Sequence, residues 1–149
     1  EIAATLRQAQ SWSASQVSGM AWGAHFDNSG ATPFFSLFPG TSYSAGSARE
    51  QTPLPSSVKY ADPGSSPPVK AVTFAQITGD PVPTGFEVTI HLAQNANDSS
   101  TIKVLPTGAI AYDLLQCSIT SGCQKTTVIV PPEMIIPGGS GGTFRKRFR

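Results

Sequence analysis

The first sixteen residues carry a helical spacing of apolar positions, and the following hundred a strand-like one. Ile2, Leu6, Ala9 and Ser13 recur at intervals of four, three and four, which puts them on one narrow helical face with Ala3 and Trp12 beside it. From Met20 the period changes to two. Met20, Trp22, Ala24 and Phe26 share one side of a strand, Asp27-Asn28-Ser29-Gly30 is a turn cluster, and Phe34-Phe35-Ser36-Leu37-Phe38 fits a hairpin partner that Pro39-Gly40 ends. A Ser/Gly/Thr-rich loop over 41–57 follows, leading into Leu54 to Tyr60. Val69 to Ile77 contains a strand with Val72 and Phe74 on one side. The clearest alternation puts Phe86, Val88, Ile90 and Leu92 inward and Glu87, Thr89 and His91 outward. Asn95 to Ser100 reads as a turn, Ile102 to Leu105 as the partner strand, and Thr107 to Tyr112 as its continuation or a further strand. Val128-Ile129-Val130, crowded by Pro131 and Pro132, reads as a sheet edge.

Short strands separated by turn signals predict a β-sandwich or a pair of curled sheets. The expected class is α+β: a helix over 1–17 packed on a mainly antiparallel β body over 18–136, then a Gly-rich linker and basic tail over 137–149. The helix opens on Glu1 with neither an initiator Met nor an N-cap residue ahead of it, so a preceding segment is expected.

Length sets a single domain. Only 13% of residues are charged, against roughly 25% in an average soluble protein, so the surface is polar through hydroxyls and amides. No run approaches the ~20 apolar residues of a membrane helix. The net charge of +1 hides an asymmetry, because Arg145, Lys146, Arg147 and Arg149 supply four of the ten basic residues. Without them the body has six basic and nine acidic side chains.

Candidate chemistry is sparse. Nucleophilic catalysis needs a histidine beside a Ser or Cys, and neither His25 nor His91 sits in a recognisable motif; His91 falls on the polar side of its strand. His25 and Asp27 form an HxD pair that could give two metal ligands, but nothing nearby completes the set, and Asn95, Asn97 and Asp98 offer oxygens to a calcium ion but fit an ordinary acidic turn better. Trp12, Trp22, Phe34, Phe35 and Phe38 fit core packing better than a sugar-stacking platform. The expectation is therefore a protein with no catalytic residues, metal, cofactor or small-molecule substrate. Cys117 and Cys123 are spaced wrongly for a CxxC motif; Gly122 lets the chain turn back, so a disulfide closing a small loop is expected after export, two unpaired cysteines being the alternative.

In order along the chain, Glu1-Ile2-Ala3-Ala4-Thr5-Leu6-Arg7-Gln8-Ala9-Gln10, Ala21-Trp22-Gly23-Ala24-His25-Phe26, Leu54-Pro55-Ser56-Ser57-Val58, Val72-Thr73-Phe74 with Thr78-Gly79, and Ile102-Lys103-Val104 with Gly108 resemble the soluble part of a minor pseudopilin of the GspH/FimT type. That family belongs to type II secretion systems and type IV pili. The likeness covers about residues 1–112; Gln10 stands where the family often has Arg, and the extension after Tyr112 is longer than usual.

The resemblance implies a structural subunit that acts through filament assembly, anchored in the inner membrane by an upstream apolar helix before assembly and lying in a periplasmic or cell-surface filament afterwards. Its partners would be other pilin or pseudopilin subunits. Ile2, Leu6 and Ala9 would dock the helix on the sheet, while Arg7 on another side could reach a neighbouring subunit. The alternative is a binding module, a DNA receptor for DNA uptake or a pilus adhesin. Arg145, Lys146, Arg147 and Arg149 with Phe144 and Phe148 on a glycine tether could touch phosphates and stack on a base, or dock on an acidic protein or membrane. Some DNA-uptake members carry Gly-Arg-x-Arg near the C-terminus; here the matching Gly108-Ala109-Ile110-Ala111 lacks both arginines.

Overall fold

A computed structural model describes residues 1–118 and 122–131, the side chains of 114–123 excepted. The helix α1 (Ile2–Ala14) is the first element, and the spacing of its apolar positions decides what it buries: Ile2, Leu6, Ala9 and Ser13. It stops short of the expected residue 17. Gln16 takes a left-handed backbone (φ 53°), and a short 3-10 turn over Val17–Gly19 redirects the chain.

Among the described residues ten strands follow, all paired antiparallel, in two five-stranded sheets. The first sheet is built from β1 (Trp22–Asp27), β2 (Phe34–Pro39), β3 (Glu50–Pro53), β5 (Val69–Phe74) and β6 (Pro81–Val82), in the order β3-β2-β1-β5-β6. The second contains β4 (Val58–Asp62), β7 (Phe86–Leu92), β8 (Asn95–Val104), β9 (Ile110–Ser118) and β10 (Gly122–Val130), in the order β10-β9-β8-β7-β4. The helix-on-two-sheets α+β architecture read from the sequence is therefore the architecture found.

The core lies between α1 and the inner faces of both sheets. Leu6, Ala9, Trp22, Ala24, Phe26, Leu37, Val72, Phe74, Val88, Val104 and Ile110 are almost completely buried there. Each large aliphatic or aromatic side chain so buried contributes roughly 1.5–3 kcal/mol. Ser13 belongs in this apolar set for a reason: its hydroxyl accepts from the Trp22 amide (2.7 Å) and donates to the Trp22 carbonyl (3.3 Å), holding the end of α1 against the start of β1. Trp12 meets Trp22 edge-on at 4.6 Å, and the Trp22 indole donates to the Val17 carbonyl.

Several expectations are corrected. Met20 lies before β1 and is 39% exposed, so the inward face of that strand is Trp22, Ala24 and Phe26 alone. In β7 the inward alternation holds for Phe86, Val88 and, part-buried against the core, Ile90, but fails at Leu92. Leu92 is exposed, because the register shifts between His91 and Leu92 at the end of the strand. His91 is half-exposed, with Nδ1 2.9 Å from the Leu92 carbonyl. Asn95 to Ser100 is not a turn; β8 begins at Asn95, and the chain reverses at Ala93-Gln94.

The first sheet is covered on its outer face as well along β1 and β2. Along β1, Gly23 and His25 point away from the helix yet are as buried as their inward neighbours, because Phe38 and the 41–49 loop lie over them. Gly23 has no room for more: a Cβ there would stand 2.6 Å from both the Phe38 ring and the Val72 carbonyl oxygen.

Candidate functional site

Three places bring polar chemistry and structure together. The first lies along α1. Gln10, half-buried, donates through Nε2 to the Gly79 carbonyl at 3.1 Å and to the Gly108 carbonyl at 2.9 Å. Gly79 closes the turn after β5 in the first sheet; Gly108 lies in the turn between β8 and β9 in the second. One amide therefore ties the helix to both sheets. Both glycines have left-handed backbones (φ 71° and 79°), and a Cβ at Gly108 would come within 2.5 Å of the Gln10 nitrogen. The docking residues Ile2, Leu6 and Ala9 are brought together as expected, at 6%, 0% and 0% exposure. Gln10 was noticed in the sequence only as a departure from the family's Arg.

The second place is a groove of about 600 Å3 beside the N-terminal turns of α1, lined by Ala3, Arg7, Leu54, Val58, Ile90 and Ile102 among others. Arg7 is half-buried. Its guanidinium lies 6.0 Å from the centre of the Tyr112 ring, and its buried Nε has no hydrogen-bond partner among the described residues. Glu1 and Asp113 also line the groove, and Asp113 Oδ1 already accepts from Thr127 Oγ1 at 2.9 Å. An apolar channel with one under-satisfied cation suits an aliphatic group accompanied by an anion.

The third place is the outer face of β1 and β2. His25 is 6% exposed, its ring stacked on Tyr43 at 3.7 Å and 1°, with Phe34 tilted against it at 6.2 Å. Its Nε2 lies 3.8 Å from Asp27 Oδ2, and Ser36 stands opposite it across the β1–β2 pair. Serine, histidine and aspartate are thus gathered, a grouping the sequence did not reveal because the register of the hairpin makes it. The geometry is not that of a nucleophile and base. Ser36 Oγ is buried beneath the loop and makes no hydrogen bond among the described residues, and no His25–Ser36 bond forms. Among the described residues no three His, Cys, Asp or Glu side chains gather as a metal site. Asn95 and Asn97 lie along β8, where Asn95 Oδ1 accepts the Asn97 amide at 3.2 Å.

Burial pulls the His25 pKa below the ordinary 6.5, with Asp27 opposing the shift. Burial would raise the Asp27 carboxyl, but hydrogen bonds from the Ser29 hydroxyl and amide, with His25 nearby, hold it below the usual 3.8. Both folded-state values are depressed, so both groups release protons on folding. Their contributions to stability are present above 6.5 and 3.8 respectively, and each is lost as pH falls below that value and through the folded one. Urea midpoints measured from pH 8 downwards are expected to fall in two stages. His25→Gln should remove the upper stage and leave the lower; a persisting upper stage would place it on another group.

The β9–β10 register sets Cys117 opposite Cys123, while the disulfide expected between them falls on side chains outside the described residues. So do Arg145, Lys146, Arg147 and Arg149. Ala109, Ile110 and Ala111 are buried, so this stretch offers neither cations nor accessible surface to a nucleic acid. No helix among the described residues is long and apolar enough to cross a membrane. Compared with family models, curated proteins and solved structures, the chain matches none.

Proposed function

We propose that this chain is a non-enzymatic structural subunit, a minor pilin or pseudopilin of the GspH/FimT kind, that works by assembling into a type IV pilus or a type II secretion pseudopilus. The observation that carries the reading is the placing of α1. It enters the β body first, commits Ile2, Leu6, Ala9 and Ser13 to the core, and leaves Ala4, Ser11 and Ser15 exposed on the other side. A helix fixed this firmly on one side sets the direction of whatever precedes it, while its small-residue side allows a neighbouring element to approach closely.

The order of motifs and the helix-on-two-sheets architecture support the same reading. Under it, a preceding apolar helix holds the subunit in the inner membrane before assembly and packs with other subunits afterwards, and the β surface selects neighbours. The reading frame upstream of Glu1 tests this directly. A stretch of about 20 apolar residues behind a Gly-Phe-Thr-Leu-x-Glu-like start is expected. A frame that starts within a few residues of Glu1, or a polar domain in that place, would overturn it.

DNA contact is the second reading, and with Ala109 to Ala111 buried it rests on the four cations at 145–149. An electrophoretic shift with duplex DNA would then vanish on removal of residues 143–149 and weaken steeply with salt. A shift unaffected by the truncation would clear the tail.

A further inference from the structure

Among the described residues, three non-glycine residues have left-handed backbones: Gln16, Ser18 and Ile77. All three lie at the pole where α1 ends, since the Ile77 amide donates to the Ser13 carbonyl at 3.2 Å. Ile77 is the anomaly. A β-branched residue at φ 71° lowers the folded population by a factor of about 5–30 relative to an unstrained one. Its side chain is also 69% exposed, so the isolated domain recovers nothing by burying it. Val82 on the neighbouring strand is 57% exposed and Met20, just before β1, is 39% exposed. In the same turn as Ile77, Asp80 is exposed.

The opposite pole has the converse shape. There, among the described residues, the groove beside Ala3, Leu54, Val58, Ile90 and Ile102 is largely apolar and open, with the under-satisfied Arg7 in it. The 13 residues of α1 separate the two poles by roughly 18 Å, at 1.5 Å per residue.

We infer that these are the two halves of a head-to-tail contact between copies of this chain: Ile77 seats in the groove at the helix N-terminal end of the next copy, with Asp80 of its own turn facing Arg7. The occupant is argued from complementarity, an apolar knob beside an anion at one end and an apolar groove around a cation at the other. Asp113 is engaged by Thr127, which leaves Glu1 as the opposing charge at the rim. A knob and a groove on different surfaces make a heterologous contact, which builds an open string, or a ring where the rotation closes, and not a symmetric dimer. The inference rests on the filament reading for its setting. Its test uses this chain alone, so its failure leaves the upstream-helix test of that reading standing, and the reverse also holds.

Sedimentation equilibrium on the full 149-residue chain is the experiment. The mean mass is expected to rise past that of a dimer as concentration approaches about 1 mM. Ile77→Asn places a residue tolerant of this backbone at the knob. It should weaken association at least about tenfold while raising the thermal midpoint by about 2–4 °C, an opposition that a general loss of structure cannot produce. Arg7→Glu, altered in the groove, should also fail to associate by itself. Mixed with Ile77→Asn it should give a heterodimer and nothing larger, because one intact knob and one intact groove remain. A wild-type chain that stays monomeric, an Ile77→Asn chain that associates as tightly as the parent, or a mixture that stays monomeric while the wild type associates would each overturn the contact. So would a wild type that stops at dimer, or binding of a small apolar acid in the groove with no self-association.

Discussion

Gly23→Ala should be the most damaging single-methyl change in the molecule, lowering stability by about 3 kcal/mol or more and leaving little folded protein at moderate urea. The added Cβ would stand 2.6 Å from the Val72 carbonyl oxygen and 2.6 Å from Phe38 Cζ. Neither neighbour has room to retreat. Val72 is hydrogen-bonded across from β1 in the middle of its sheet, and Phe38 is fully buried beneath the covering loop, edge-on to Tyr43. Relief would require β1 and β5 to separate, and with them the inner face that holds Trp22, Ala24 and Val72. Gly46→Ala is the control. Its new methyl meets nothing within 4 Å, and its backbone lies outside the left-handed region, so the urea midpoint should stay within about 0.5 kcal/mol of the parent. Equal effects at both positions would mean that β1 and β5 are not packed as closely as described.

The second large effect is expected at Gln10. Gln10→Ala removes the donor shared by the Gly79 and Gly108 carbonyls and leaves both short of a partner beside the helix, which should destabilise by about 1–3 kcal/mol. The signature is coupling more than size. Gly108→Ala pushes on the same amide from the opposite direction, so the double variant should lose markedly less than the two single losses together. Simple additivity would show that Gln10 does not hold the two turns. Gln10→Arg is informative beside these, since a guanidinium also carries several donors and could bond both carbonyls if the turns accommodate its extra length.

What the sequence made legible follows the range of the interactions. The docking face of α1 was readable because period alone decides which residues of a helix share a side, and the β1–β2 hairpin because a local turn separates two apolar runs. The burial of His25 was not readable. Its cover, Tyr43, comes from a segment with no periodic signal, and the grouping with Ser36 depends on a cross-strand register that residue types do not reveal. Asn95 to Ser100 reads as a turn because its residues are polar, although pairing with β7, more than side-chain burial, holds that end of β8. The groove had no sequence signal at all, since its walls come from α1, β4, β7, β8 and the loop before β4. Gln10 and Gly108 stand out separately in the sequence; only the fold shows that they touch.

The double attachment of Gln10 also bears on how the protein would carry force. At the end of the body nearest Asp27, the two sheets are joined directly: Tyr60 donates to the Phe34 carbonyl, and Lys70 pairs with Asp62 and reaches the Glu87 carbonyl. Toward the other end, α1 bridges them through Gln10. Tension applied along the helix axis would therefore divide between two β-sheets in parallel, and neither would have to peel open alone. Forced detachment of α1 would have to break the Gly79 and Gly108 attachments almost together, the arrangement expected of a part that bears load along its length.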